Sequence, residues 1–158
     1  MNQTLKTGLW IGALCVAWTF VMGLTGWYKD PVMLNAFFAV ILIEVVLLVI
    51  GLRQTASTNG YGRQVLAGTM MSVIAAAVIF AGSLLFTTVA FPSYFDDLKA
   101  GYTALLQEQG KSPDEISTEV QRALGNPTPL SQALQGVAGT IGTGVVGSLI
   151  IGAFVRKK

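Results

Sequence analysis

The chain has 158 residues, of which 53% are hydrophobic and 11% charged, and its mean hydropathy of +0.62 is too high for a soluble domain of this length. With no histidine and a single cysteine, Cys15, it excludes Cys/His zinc sites, histidine-ligated haem and intrachain disulfides. The net charge of +2 is small and its basic residues fall at the ends of apolar stretches, so no nucleic-acid partner is expected.

The charges avoid long stretches altogether instead of recurring at the spacing that would give each helix of a soluble bundle a wet face. This pattern predicts an all-α membrane protein, a single membrane domain over 1–158. It has four transmembrane helices and an extramembrane two-helix hairpin between the third and fourth. The first segment, about 8–28, is preceded by Lys6 and followed by Lys29, Asp30 and Pro31. It is too long for a signal-peptide core and lacks a small-x-small cleavage site near its end, so it reads as an uncleaved anchor. Trp10 and Trp27 lie 17 residues apart, roughly 26 Å at ~1.5 Å per residue, close to the separation of the interfacial aromatic belts.

The second segment, about 32–52, follows a turn too short to hold a domain, and Glu44 is its only charge. A polar, basic loop leads to the third, about 65–91, which carries no charge and leaves the membrane at Pro92. From 93 to 129 the composition changes to six acids against three bases, a balance of −3. Tyr94, Leu98, Tyr102 and Leu105 recur at helical spacing up to Gly110, a C-cap. A second helix starts at Ser112-Pro113-Asp114-Glu115, which supplies an N-cap, a first-turn proline and first-turn acids. The fourth segment, about 130–155, is apolar and glycine-rich and ends in Arg156-Lys157-Lys158.

Four crossings put both termini on one side, with Lys6, Arg53, Arg63, Arg156, Lys157 and Lys158, against Lys29, Lys99, Lys111 and Arg122 among seven acids on the other. The positive-inside rule then predicts cytoplasmic termini and an acidic hairpin outside.

Three features stand out. Glu44 is an ionisable group inside an apolar helix, where it is costly unless it faces protein or water. It reads either as an ion or proton site or, with more weight, as a packing group hydrogen-bonded to Thr69, Ser72 or another neighbour. Gly136, Thr140, Gly144, Ser148 and Gly152 form a ladder of small residues at every fourth position, beside the row Gly139, Thr143, Gly147. Such a ridge admits a helix at close range, either Gly8 and Gly12 or Gly68, Ser72 and Ala76 within the chain, or a second copy. Tyr94, Phe95, Leu98 and Tyr102 form an aromatic stripe that must lie against the second hairpin helix, the membrane interface or a docking partner. No nucleophile–base pair, phosphate-binding glycine loop or calcium-loop spacing is found, so neither enzymatic activity nor a cofactor or metal is expected.

The chain resembles the bacterial membrane proteins grouped as domain of unknown function 4199. The likeness is carried by Phe91-Pro92-Ser93-Tyr94-Phe95, by Glu108-Gln109-Gly110-Lys111-Ser112-Pro113-Asp114-Glu115-Ile116 and by the glycine-rich last helix with its basic end. It departs from the pattern at Ser93, where an acid is expected. The resemblance implies this architecture and a bacterial inner membrane, and it brings no catalytic residues.

The leading expectation is a non-enzymatic scaffold or accessory subunit, associating through the fourth helix and the acidic hairpin with other membrane subunits or as a homo-oligomer among membrane lipids. The alternative is a small ion- or proton-coupled transporter in which Glu44 titrates and the glycine helix moves. A lipid-binding role for the hairpin is a third.

Overall fold

A computed structural model of the chain describes residues 2–155, so the terminal Arg156, Lys157 and Lys158 of the charge count lie outside the described residues. Within them are six α-helices and no strand: α1 (Gln3–Thr25), α2 (Ala39–Thr55), α3 (Tyr61–Leu85), α4 (Tyr94–Glu108), α5 (Pro113–Leu124) and α6 (Pro129–Phe154). Four helical stretches, Gln3–Thr25, Met33–Thr55, Tyr61–Ala90 and Pro129–Phe154, are long and apolar enough to cross a membrane.

The helix ends follow local chemistry that hydropathy does not report. α1 starts before the apolar run because the Asn2 side chain accepts a hydrogen bond from the Thr4 amide at 3.2 Å. It stops at Gly26, whose φ of 73° places it in the left-handed region. The chain then passes through 3-10 turns at Trp27–Lys29 and Met33–Phe38 before α2 begins. The second of these is held to α1 by the Trp18 indole, which donates to the Ala36 carbonyl at 3.0 Å. At its far end α3 widens into a π-turn, Phe86–Ala90, closed by the Phe91 amide on the Phe86 carbonyl at 2.8 Å, and Pro92 prevents further helix. The extra residue in that turn brings two consecutive side chains, Phe86 and Thr87, to the inside.

α3 is the central helix, with α1 against one side and α6 against another, while α2 touches both α1 and α6. The apolar core joins Ile11 and Cys15 of α1, Leu48 and Leu52 of α2, and Met71 and Ala75 of α3. Glycines allow close approach of α1, since a Cβ at Gly8 would lie 2.6 Å from the Met71 carbonyl oxygen.

α6 seats on α3 through a reciprocal register. Ser72 of α3 fills the space at Gly144 of α6; one turn along, Ser148 of α6 fills the space at Gly68 of α3. A further turn on, Gly152 lies over Gln64. Each glycine therefore receives the side chain that its partner helix presents, and the Ser148 hydroxyl closes its own account by donating to the Gly144 carbonyl at 2.5 Å.

Gln64 ties the helix ends together at this end of the bundle. It is 0% exposed, and its amide nitrogen donates to the Leu52 carbonyl at 2.8 Å and the Val155 carbonyl at 2.7 Å, while its oxygen accepts from the Thr55 hydroxyl at 2.7 Å. Two carbonyls at the C-terminal ends of α2 and α6 thus find one side chain from α3.

At the other end, α4 and α5 pack on each other through Leu106, Ile116 and Val120, with Tyr102 and Leu124 alongside. Gly110 turns the chain between them at a φ of 75°, and the Ser112–Glu115 capping box starts α5.

Candidate functional site

The site that brings most of the intramembrane polar groups together is a cavity of about 260 Å³ running from mid-span towards α4. Glu44 lies midway along Met33–Thr55 and is 3% exposed. Its Oε1 accepts a hydrogen bond from the Ser72 hydroxyl at 3.0 Å, so of the partners the sequence offers it is Ser72 on α3, and not Thr69, that reaches it. Oε2 accepts no hydrogen bond from the protein and, since no buried side-chain oxygen lacks a partner among the described residues, it is the oxygen turned towards the cavity.

Above the carboxyl group the walls are mainly apolar and aromatic, with Phe37, Phe38, Phe86 and Tyr94 among the lining side chains. Thr140 and Thr143 of α6 and Thr19 of α1 add hydroxyls, and Gln132 and Gln135 stand at the α4 end. No lysine or arginine lines the cavity. Its exposed lining residues are Phe38 and Ile41 on one wall and Gln135 and Gly139 on the other, so it opens between α2 and α6.

The small-residue ladder of α6 divides between two surroundings. Thr140, Gly144, Ser148 and Gly152 are buried, and Gly144 and Ser148 seat on Ser72 and Gly68. Gly136 meets only the Ile79 side chain, with a Cβ there falling 3.4 Å from it. The second row faces elsewhere: Gly139 and Thr143 line the cavity, and Gly147 rests against Leu48.

A family model described as "Protein of unknown function (DUF4199)" matches residues 6–157. The chain belongs to the DUF4199 family. No curated protein and no solved structure matches it.

In this DUF4199 chain the aromatic stripe, offered by the sequence to the second hairpin helix, the membrane interface or a docking partner, is largely used within the molecule. Tyr94 is 7% exposed because it packs in an aromatic cluster with Tyr28 and Phe86, and Phe95 and Leu98 lie against the same cluster. Tyr102 packs instead on Leu106, Ile116 and Val120. The stripe therefore holds α4 down on the end of the bundle. Ring pairs such as Tyr28–Phe86, with centroids 6.4 Å apart at 81°, have the edge-to-face geometry that aromatic quadrupoles favour.

A polar latch that sequence reasoning missed accompanies this cluster. Asp97 of α4 accepts hydrogen bonds from the Tyr28 hydroxyl at 2.7 Å and the Ser93 hydroxyl at 2.9 Å, and pairs with the Lys29 ammonium at 3.1 Å. The only signal in the sequence is the phase of Asp97, one turn after Ser93. Its partners in the α1–α2 connection lie too far along the chain to be read locally. Those donors, Tyr28 foremost, hold the Asp97 carboxyl below the usual carboxylate range. Because the folded value is the lower one, the latch contributes fully above the ordinary carboxylate pKa, and its contribution is lost as pH falls through the depressed value. Asp97→Asn is expected to speed hydrogen exchange of the α4 amides at pH 7 and to flatten their acid dependence. Exchange unchanged from wild type would show that the latch does not hold α4.

Proposed function

We propose that this is a non-enzymatic, multi-pass protein of a bacterial inner membrane that binds a solute at Glu44 and moves it in exchange with protons or another ion. The observation that carries this reading is the Glu44 carboxyl group at mid-span. One oxygen is fixed by Ser72 and the other is turned into a cavity without a counter-charge. The Ser72 hydrogen bond by itself fits a packing role; the second oxygen, open to the cavity, is what favours a binding site.

Orientation follows the bases. Lys6, Arg53 and Arg63 gather at the end where α1 and α3 begin, which supports a reading with cytoplasmic termini and the α4–α5 pair outside as an extracytoplasmic hairpin. The cavity then opens on the outer half of the bilayer.

The accessory-subunit reading retains one observation in its favour. A Cβ at Gly142 meets nothing within 4 Å, so the outward side of α6 leaves room for a helix of another subunit or a second copy. The buried ladder does not serve that purpose, because Gly144 and Ser148 are occupied by α3.

Flux in reconstituted vesicles tests the proposal. Wild type carrying an internal pH indicator is expected to move protons under an imposed cation gradient, and Glu44→Gln to abolish that movement. A wild type without flux, or a Glu44→Gln variant with wild-type flux, overturns transport and leaves the accessory role.

A further inference from the structure

Resting on the reading that the cavity above Glu44 is the working site, we infer that its occupant is a small organic ammonium whose apolar body is about the size of one aromatic ring. Three observations converge on this chemistry. Glu44 is almost completely buried, and its unengaged Oε2 is turned into the cavity, which no lysine or arginine lines. An unpaired carboxylate in apolar surroundings favours whichever cation reaches it. A hydrated metal ion is a poor match, because the other groups near the floor are isolated hydroxyls and supply no second carboxylate.

The walls select the rest of the molecule. Phe37, Phe38, Phe86 and Tyr94 present rings around the path to Glu44, and aromatic faces stabilise an ammonium that has left water. The size follows from the volume: an apolar cavity of about 150 Å³ holds one benzene ring. At about 260 Å³ this cavity has room for a ring with a short aminoalkyl arm.

The route is lateral. Gly139 lies on the open side between α2 and α6, and a Cβ there meets nothing within 4 Å. Gly139→Leu therefore places a side chain at the opening with no clash in the fold, while leaving Glu44 and Ser72 untouched.

Equilibrium dialysis of the protein in lipid nanodiscs, with empty nanodiscs as the background, tests the assignment. Phenethylamine, an ammonium at neutral pH, is the probe and 2-phenylethanol its uncharged counterpart. Wild type is expected to retain phenethylamine above the lipid background and to leave 2-phenylethanol at background. Glu44→Gln and Gly139→Leu should each weaken phenethylamine binding tenfold or more; if Glu44→Gln fails to fold, Gly139→Leu alone decides. Equal retention of both probes, insensitive to Glu44→Gln, overturns the ammonium class in favour of an apolar occupant such as a lipid chain. No retention of phenethylamine alongside Glu44-dependent proton flux also overturns it while the transport reading stands. Glu44-dependent retention without any flux upholds the ligand class and removes transport.

Discussion

Gly144→Leu is expected to destabilise the protein by about 3 kcal/mol or more, enough to prevent assembly of the four-helix bundle at moderate detergent concentrations. The first atom of any side chain at position 144 would fall within the Ser72 side chain, and Ser72 sits on the backbone-tight face of α3 with no space to retreat. The same substitution would press on Glu44, whose Oε1 lies 3.4 Å from that Cβ position. Gly142→Leu is the matched control two residues away, where a Cβ meets nothing within 4 Å. There the loss of a helical glycine should be neutral or stabilising by up to about 1 kcal/mol. Unfolding in mixed micelles by titrated sodium dodecyl sulfate measures both. Equal stability of the two variants would mean that the buried row of α6 is not the surface that seats on α3.

The second large effect belongs to Gln64. Gln64→Met keeps the length and flexibility of the side chain but removes three hydrogen bonds, two of them to helix C-terminal carbonyls. Interhelical hydrogen bonds in membrane proteins average only about 0.6 kcal/mol, because the unfolded chain in the bilayer also finds partners. Three together give about 2 kcal/mol, and the fully buried position keeps water from replacing them. The same micelle titration should register that loss. It should also show the α6 end fraying first, as faster exchange of the last amides up to Val155. A Gln64→Met protein with wild-type stability and unchanged exchange there would remove the clamp from the account of this fold.

Much of this structure was legible in the sequence, and the parts that were not share a cause. The four spans follow from where charge is absent, and the start of α5 follows from Ser112-Pro113-Asp114-Glu115, because both signals are local. The pairing of Glu44 with a small hydroxyl residue on α3 was also within reach, since a lone acid in an apolar helix narrows its partners to a few. The partner of the α6 ladder was not: the pattern admits α1, α3 or a second copy alike, and only the fit of Ser72 at Gly144 and of Ser148 at Gly68 decides for α3. By its neighbours Arg63 and Gly62, Gln64 reads as the end of the polar loop before the third segment. Its phase was the missed clue, for Gln64, Gly68, Ser72 and Ala76 recur at every fourth position along one face of α3. The Asp97 latch joins positions 69 residues apart in its Tyr28 contact, beyond any periodicity. The aromatic stripe was visible as a stripe, but its destination was set by the π-turn that brings Phe86 inside, which no pattern in Leu85-Phe86-Thr87-Thr88 announces.

The interlock between α3 and α6 also limits how the protein can work. If α6 slid along α3 by one turn, about 6 Å, Ser148 would arrive opposite Ser72 and Gly152 opposite Gly68, so that bulk would collide at one step and a void would open at the next. The two helices are keyed to one position, like a notched bolt in its plate, and the glycine-rich helix is the stationary part. On the proposed transport reading, any change at the carboxylate is confined to the half of α2 that leaves the 3-10 turns and carries Glu44, because the other half is held by Leu48 and Leu52 in the core and by Gln64 at the Leu52 carbonyl.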